Sequence, residues 1–300
     1  MILIVILYML WAASVTASKI IINYSQPFFL TGSRMFIAGS ILLIYQYLSP
    51  HQEFRFKREH FGYYAQIVLL GIYITYVLRF WALHDISATK AMFLFNLSPF
   101  FSALYSYYFF KETVSKTQWA GLLIGVIGLV PVLLTSSQKE LALGEFFFMS
   151  WQEMAIIASV AMHSYSWIIV RKLVIENGYS PSMINGITMF IGGALALVTS
   201  FFVEGIFPVT NFAYFFGLLA FIIIISNIIC HNLYGHLLHY YSTTLIAFGG
   251  FLGPPFTAFY SWLLFQEQIT WHYYLSSFIV FIGLSLFYKD ELQKNNLPVA

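Results

Sequence analysis

Charge is what this sequence has least of. Asp, Glu, Lys and Arg make up 9% of its 300 residues, against about a quarter in a soluble domain. A water-facing surface cannot be built from so few charges. Cysteine is almost missing too. The single Cys230 excludes an intramolecular disulfide and signals no cysteine-based metal site; lying in an apolar stretch, it reads as a small packing residue. The formal net charge is only +2, and no basic cluster is large enough to track phosphates, so nucleic acid is excluded as a partner. There is no Walker loop, nucleophile triad or redox motif, which leaves nothing for an enzyme or a cofactor to use.

What is present is apolar: 60% of the residues are hydrophobic, and they come in long runs. About 20 apolar residues cross the hydrocarbon layer as a helix. Lipid offers no partner to open backbone groups, so spans are helices or closed barrels. Barrel strands alternate apolar and polar residues; runs such as Leu218–Ile229 do not, so helices are expected. The chain reads as an all-α integral membrane protein of about ten transmembrane helices, over 2–22, 27–48, 62–83, 87–110, 116–134, 151–173, 181–203, 212–238, 242–265 and 270–288. Met1–Leu10 followed by the small residues of Ala13–Ala17 resembles a signal peptide. No basic residue precedes it, and it is read as the first span. With the N-terminus in the cytoplasm, Arg55, Lys57, Arg58, Lys111, Lys116, Arg171, Lys172, Lys289 and Lys294 fall inside, whereas the outer loops carry essentially Lys139. That bias predicts both termini inside an inner (cell) membrane. Trp119, Trp151 and Trp271 at span ends fit interfacial anchoring.

The chain also repeats itself. A shift of 155 residues places Leu83-His84 on Leu238-His239, Ser87 on Ser242, Pro99 on Pro254, Tyr105-Ser106 on Tyr260-Ser261, Glu112 on Glu267 and Ile127-Gly128-Leu129 on Ile282-Gly283-Leu284. A shift of 154 places Pro27 on Pro181, Gly32 on Gly186 and Met35–Gly39 on Met189–Gly193. The expected organisation is a first five-helix repeat (1–134), a connecting loop (135–150), a second five-helix repeat (151–288) and a cytoplasmic tail (289–300). Five is odd, so the second copy enters the membrane inverted. Inverted repeats build alternating-access transporters, with the substrate near the midplane; channels can carry them as well.

Ala82–Thr89, Leu97-Ser98-Pro99, Phe110-Lys111-Glu112, Trp119-Ala120-Gly121 and Gly125–Gly128 set out a short helix–helix turn, a proline in the next helix, a Glu at its end and a Gly-rich following helix. In this the sequence resembles the EamA type of the drug/metabolite transporter superfamily. The second copy matches at Ser242-Thr243-Thr244, Gly253-Pro254, Gln266-Glu267 and Gly283. It departs in having Ser276 and Val280 where the first has Gly121 and Gly125. The resemblance covers nearly the whole chain and is specific for fold but not for substrate. It implies a central cavity lined by helices one, three, four, six, eight and nine, and transport without ATP hydrolysis.

The candidate residues follow from cost. Ile72, Tyr76 and Arg79 correspond to Asn227, His231 and Tyr234, and each set lies at i, i+4, i+7, one face of a helix. Polar groups facing lipid are expensive, so both faces should turn inward, toward a shared cavity or into helix–helix hydrogen bonds; the cavity is the reading taken. Arg34, Arg79 and Lys90 lie inside spans, in the half away from the cytoplasm. They would form an electropositive vestibule or hold a carboxylate or phosphate, and Arg79 is the first choice because its planar fork suits carboxylates. Pairing with Asp85 or snorkelling is the alternative. Trp11, Tyr165 and Trp167, with His163 beside them, are the aromatics chosen to stack on substrate. Pro99 and Gly253-Pro254-Pro255 should break their helices, either as flexible polar backbone beside the cavity or as static kinks. His231, His236 and His239 do not share one face, so no metal is expected; His231 or His163 could instead carry protons. Glu112 and Glu267 are read as capping or loop-pairing residues.

The function expected is secondary active transport of a small polar metabolite, an amino acid or related zwitterion, by alternating access. The alternative substrate is a nucleoside-containing metabolite such as S-adenosylmethionine or a nucleotide, which would use the aromatics for stacking. A non-transporting membrane scaffold is the alternative from another class, though it would not need two polar stripes. The partners expected are the metabolite and the bilayer, with proton or exchange coupling and a monomeric or homodimeric state left open.

Overall fold

The computed structural model describes residues 2–48, 57–128, 130–133, 145–146, 149–206, 208–266 and 271–295. Glu267, Arg55 and Lys139 lie outside these. Among the described residues the chain is helical but for one hairpin. The helices are α1 (Ile2–Ile21), α2 (Pro27–Leu48), α3 (Arg58–Leu83), α4 (Ala88–Phe95, resuming as Ser98–Phe110), α5 (Lys116–Ile127), α6 (Trp151–Ile175), α7 (Pro181–Val203), α8 (Phe212–Leu237), α9 (Thr243–Phe248, resuming as Gly253–Phe265) and α10 (Trp271–Asn295). Six of them, α1, α2, α3, α6, α7 and α8, are long and apolar enough to cross a membrane. Ile44, Phe202, Phe216, Leu263 and Phe278 point outward from the bundle, as side chains do when lipid is the solvent.

The expected boundaries shift in four places. The third helix starts at Arg58, and α10 runs past 288 to Asn295, into the stretch read as tail. The fifth stops at Ile127 and a separate turn follows at Val130–Leu133. The loop before α6 holds a small antiparallel hairpin, Glu145–Phe146 with Met149–Ser150. Ser150 then caps α6, accepting from the Glu153 backbone while Glu153 accepts from the Ser150 backbone, so both ends of the capping box are satisfied.

Two pairs of helices form the flanks. Glycines let α2 and α7 touch along their backbones: a Cβ on Gly39 would stand 2.3 Å from Phe190 N, and one on Gly193 would stand 2.2 Å from Phe36 N. Phe36 and Phe190 stack with ring centres 4.7 Å apart. On the other flank Gly121 and Gly283 bring α5 against α10. Small residues do this in membranes because apolar side chains gain nothing by leaving lipid.

The remaining helices, α1, α3, α4, α6, α8 and α9, meet in the centre. Their irregularities sit there. Both α3 and α8 carry a π-helical stretch, Ile67–Ile74 and Ile223–Cys230. Just after each, a side chain returns to the carbonyl five residues back: Thr75 Oγ1 to Leu70 (2.5 Å) and His231 Nδ1 to Ser226 (2.6 Å). Such insertions release a carbonyl from the ladder and recur at functional sites. The fourth helix breaks at Asn96–Leu97, and α9 tightens to a 3₁₀ turn at Gly249–Leu252. Each resumes with proline in its first turn, Pro99 and Pro254, where a missing N–H costs nothing. The expected helix breaks are therefore present two to five residues before the prolines.

Candidate functional site: a central cavity

Where the irregular helices meet there is a cavity of about 100 Å3. One wall is aromatic. Trp167 stacks on Tyr234 with ring centres 4.0 Å apart, and Trp11 stands 5.8 Å from Tyr234 and 5.6 Å from Tyr8. Internal bonds hold the rings in place. Trp167 Nε1 donates to His163 Nε2 (3.0 Å), Trp11 Nε1 to Ser226 Oγ (3.2 Å), and the Tyr8 hydroxyl to the Ile246 carbonyl (2.8 Å).

The other wall is cationic. Arg34 is buried; its Nε donates to Asn227 Oδ1 and its Nη2 to Ser226 Oγ, both at 2.6 Å. Arg79 Nε donates to Ser159 Oγ at 3.2 Å. Both guanidiniums lie over Tyr76, 4.9 and 5.3 Å from its ring centre, and Arg79 also lies over Phe95 at 4.7 Å. Cation–π contact offsets part of the cost of holding two like charges in a dry place. Tyr76 itself bonds His231 Nε2 at 2.9 Å. The Ser226 carbonyl can only accept, so His231 Nδ1 carries the proton. In the neutral ring Nε2 is then the acceptor, and the Tyr76 phenol donates. No carboxylate among the described residues pairs with either guanidinium, and none lines the cavity. Both arginines therefore keep N–H donors for a ligand, and the aromatic wall offers faces to a flat or cationic group.

The sequence profile of the EamA-like transporter family matches residues 1–134 and again 150–289. The chain belongs to the EamA-like transporter family. It is a transporter, not an enzyme. This EamA transporter is 31% identical to the S-adenosylmethionine/S-adenosylhomocysteine transporter of Chlamydia muridarum (strain MoPn / Nigg) over 95% of its own length and 90% of that protein. It is also 31% identical to the protein of that name from Chlamydia trachomatis serovar D, over 95% and 88%. A solved crystal structure of a protein aligns with a TM-score of 0.70 over 98% of this chain and 97% of the other. At 14% identity that likeness concerns the fold alone.

Six of the residues singled out from the sequence line the EamA transporter's cavity: Trp11, Tyr76, Arg79, His163, Trp167 and Tyr234. Asn227 and His231 stand directly behind it, holding Arg34 and Tyr76. Two do not belong to it. Tyr165 donates to Gln66 Oε1 at 2.5 Å and packs against Tyr105 and Phe109; on a helix it faces away from the His163/Trp167 pair, which share a face four residues apart. Lys90 is 1% exposed and meets Glu153 at 2.7 Å, so its charge is spent inside the protein rather than in a vestibule. Lys19 likewise is held, donating to the carbonyls of Leu83, His84 and Ile86. Pro99, Gly253, Pro254 and Pro255 do not line the cavity, whose surface at the two breaks includes Ser98 and Gly250; Pro255 is exposed. Arg34, expected with Arg79 to form a vestibule or hold an anionic group but ranked behind it, also lines the cavity. The residues missed are Ser226 and Ser159, whose hydroxyls carry no signal in a sequence this rich in serine and threonine.

Proposed function

We propose that this transporter carries S-adenosylmethionine and S-adenosylhomocysteine, with plain amino acids as the weaker candidates. The observation that carries the reading is the pairing of two carboxylate-free guanidiniums with an aromatic wall in one cavity. These metabolites present a carboxylate at one end and adenine at the other, with a sulfonium or thioether between. Arg79 and Arg34 suit the carboxylate, and Trp11, Trp167 and Tyr234 suit the purine or the sulfonium. The curated relatives' names support the same choice.

The mechanism proposed is alternating access by ten spans in two inverted five-helix repeats, 1–134 and 151–288, with both termini cytoplasmic in an inner membrane. Contacts between positions 154 or 155 apart support it. Tyr76 bonds His231, Phe36 stacks on Phe190, and Gly39 against Phe190 mirrors Gly193 against Phe36. That is what a twofold axis in the membrane plane produces. Lys111 and Gln266, also 155 apart, are the two non-glycine residues with left-handed backbone among those described.

The test is uptake of labelled S-adenosylmethionine into proteoliposomes with competitors. Unlabelled S-adenosylhomocysteine should compete, and methionine and homocysteine should not. Competition by methionine at equal concentration would return the amino-acid reading to first place. No uptake of any labelled metabolite would revive the scaffold.

A further inference from the structure

A second, more polar pocket lies at the end of the bundle where α4 and α6 finish and α9 begins. Ser106, Glu112, Gln118, Arg171, Ser242 and Thr244 are among its lining residues. It is close to the central cavity. On α4, Ser98 lines the central cavity and Ser106 lines the second pocket. Ser102 lies between them at four-residue spacing, on the same helical face. On α9, Ala247 lines the first and Thr244 the second. What separates the two spaces is a seam about two turns long, where the second part of α4 meets α6 and the start of α9.

The seam is tightly packed, and buried hydroxyls along it lack partners within the protein. The hydroxyls of Ser102, Ser106 and Thr243 are buried, at 1%, 2% and 0% exposure, and form no hydrogen bond. Several helical serines elsewhere, such as Ser18, Ser33 and Ser40, return to the carbonyl four residues back; Ser276 in α10 is a further buried serine without a partner. Buried polar groups are ordinarily paired, and those that are not call for an explanation. The positions 155 residues away, at the opposite end of the bundle, behave otherwise. Thr257, counterpart of Ser102, donates to the Gly253 carbonyl (3.1 Å). Ser261, counterpart of Ser106, accepts from Thr89 (3.4 Å), the counterpart of Thr244. The far seam is crossed by the Thr89–Ser261 bond; this one is bonded across only at its cavity end, where Ser98 Oγ meets Ser164 Oγ on α6 (3.0 Å), and is packed beyond it. A clasp holds the packed part: Arg171 on α6 grips Glu112, just past the end of α4, with two bonds of 3.0 and 2.7 Å.

We propose that the seam through Ser98, Ser102 and Ser106 is the passage between the central cavity and the second pocket. The polar groups of a metabolite, with water, would pass along the serine hydroxyls, and the Arg171–Glu112 pair is the clasp that must release first. The hydroxyls that lack partners when the seam is closed gain them when it opens. The inference rests on the transporter reading of the cavity but not on which metabolite is carried.

The experiment places a thiol at the seam. In a Cys230→Ala background, Ser102→Cys is reconstituted and exposed to a charged, membrane-impermeant methanethiosulfonate. The thiol should react slowly by itself and about tenfold faster once Glu112→Gln opens the clasp, as a population shift of that size requires. A second variant, Ser102→Leu, plugs the passage. It should bind S-adenosylhomocysteine within about threefold of the wild type while uptake is lost. A thiol that stays unreactive with the clasp open, or wild-type uptake by Ser102→Leu, overturns the passage. If the wild-type protein neither binds nor takes up S-adenosylhomocysteine, the substrate reading fails, and the thiol's response to Glu112→Gln alone decides for or against the seam.

Discussion

The crossing of α2 and α7 is where a single methyl group should do most harm. A Cβ on Gly39 would sit 2.3 Å from Phe190 N and 2.7 Å from its Cα; one on Gly193 would sit 2.2 Å from Phe36 N. Ordinary contact begins at 3.4 Å, so either alanine drives the helices about 1 Å apart. The obstructing atoms are backbone and cannot rotate away, which puts the cost at the upper end of overpacking, about 3 kcal/mol. At about 2 °C per kcal/mol for a large chain, Gly39→Ala and Gly193→Ala should each melt roughly 6 °C below the wild type in detergent. The double variant should lose less than the sum, because one separation relieves both clashes. Gly217 supplies the control: its Cβ would meet nothing within 4 Å, so Gly217→Ala in α8 should be neutral or gain up to about 1 kcal/mol of helix propensity. Wild-type melting by Gly39→Ala and Gly193→Ala would refute the close crossing. An equal loss in Gly217→Ala would show that helix glycines matter here for some other reason.

Three more perturbations address the site and its supports. Arg79→Gln removes a cation that has one hydrogen bond to the protein; ligand affinity should fall roughly 10- to 100-fold, the worth of a charge-assisted hydrogen bond, with melting near wild type, measured by titrating tryptophan fluorescence. Lys90→Met leaves Glu153 buried and unpaired and should cost about 3–5 kcal/mol, whereas Lys90→Met with Glu153→Gln, which keeps the cap on α6, should recover most of it in thermal melts. Asp85, on the turn after α3, is pushed upward by partial burial and more than offset by bonds from His84 (2.9 Å) and Gln152 (3.2 Å), so its carboxyl lies below the ordinary value. A depressed acid stabilises the fold above its unfolded-state pKa and loses that effect as pH falls through the folded one. The melting advantage over Asp85→Asn should thus be present above the unfolded-state value of about 3.9 and be lost as pH falls below it; an advantage that grows on acidification would reverse the assignment.

Much of this could be read before any coordinates because lipid is a strict solvent. It fixes span length and apolarity, and it makes every in-span polar residue a question. Pro99 and Pro254 announced the breaks in α4 and α9 for the same local reason anywhere: a missing N–H. What the sequence hid is what depends on direction. The π-helical stretches leave the apolar runs unbroken, so composition shows nothing, yet they set which faces of α3 and α8 look inward. Tyr165 sits between His163 and Trp167 in the sequence, but residues two apart on a helix face opposite ways, which parts it from both. Lys90 could not be assigned because its partner is tertiary. Ser150–Glu153 has the spacing of a capping box, which accounts for one carboxylate oxygen and is silent about the lysine at the other.

The residues near the proposed axis take the reasoning one step further. Arg79 and Tyr234 are 155 positions apart, the same place in each half, and both line the cavity. One half supplies a guanidinium there and the other an aromatic ring. Trp11, on α1, stands over the Tyr234 side at 5.8 Å, whereas Arg34 and Phe95 crowd the Arg79 side. Had the two halves stayed identical, a ligand could sit in either direction with equal energy. Their divergence at this position gives the cavity a charged end and a stacking end. On the function proposed above, a molecule with a carboxylate at one end and a heteroaromatic ring at the other would be held in a single orientation, and metabolites that carry only one of the two would bind more weakly.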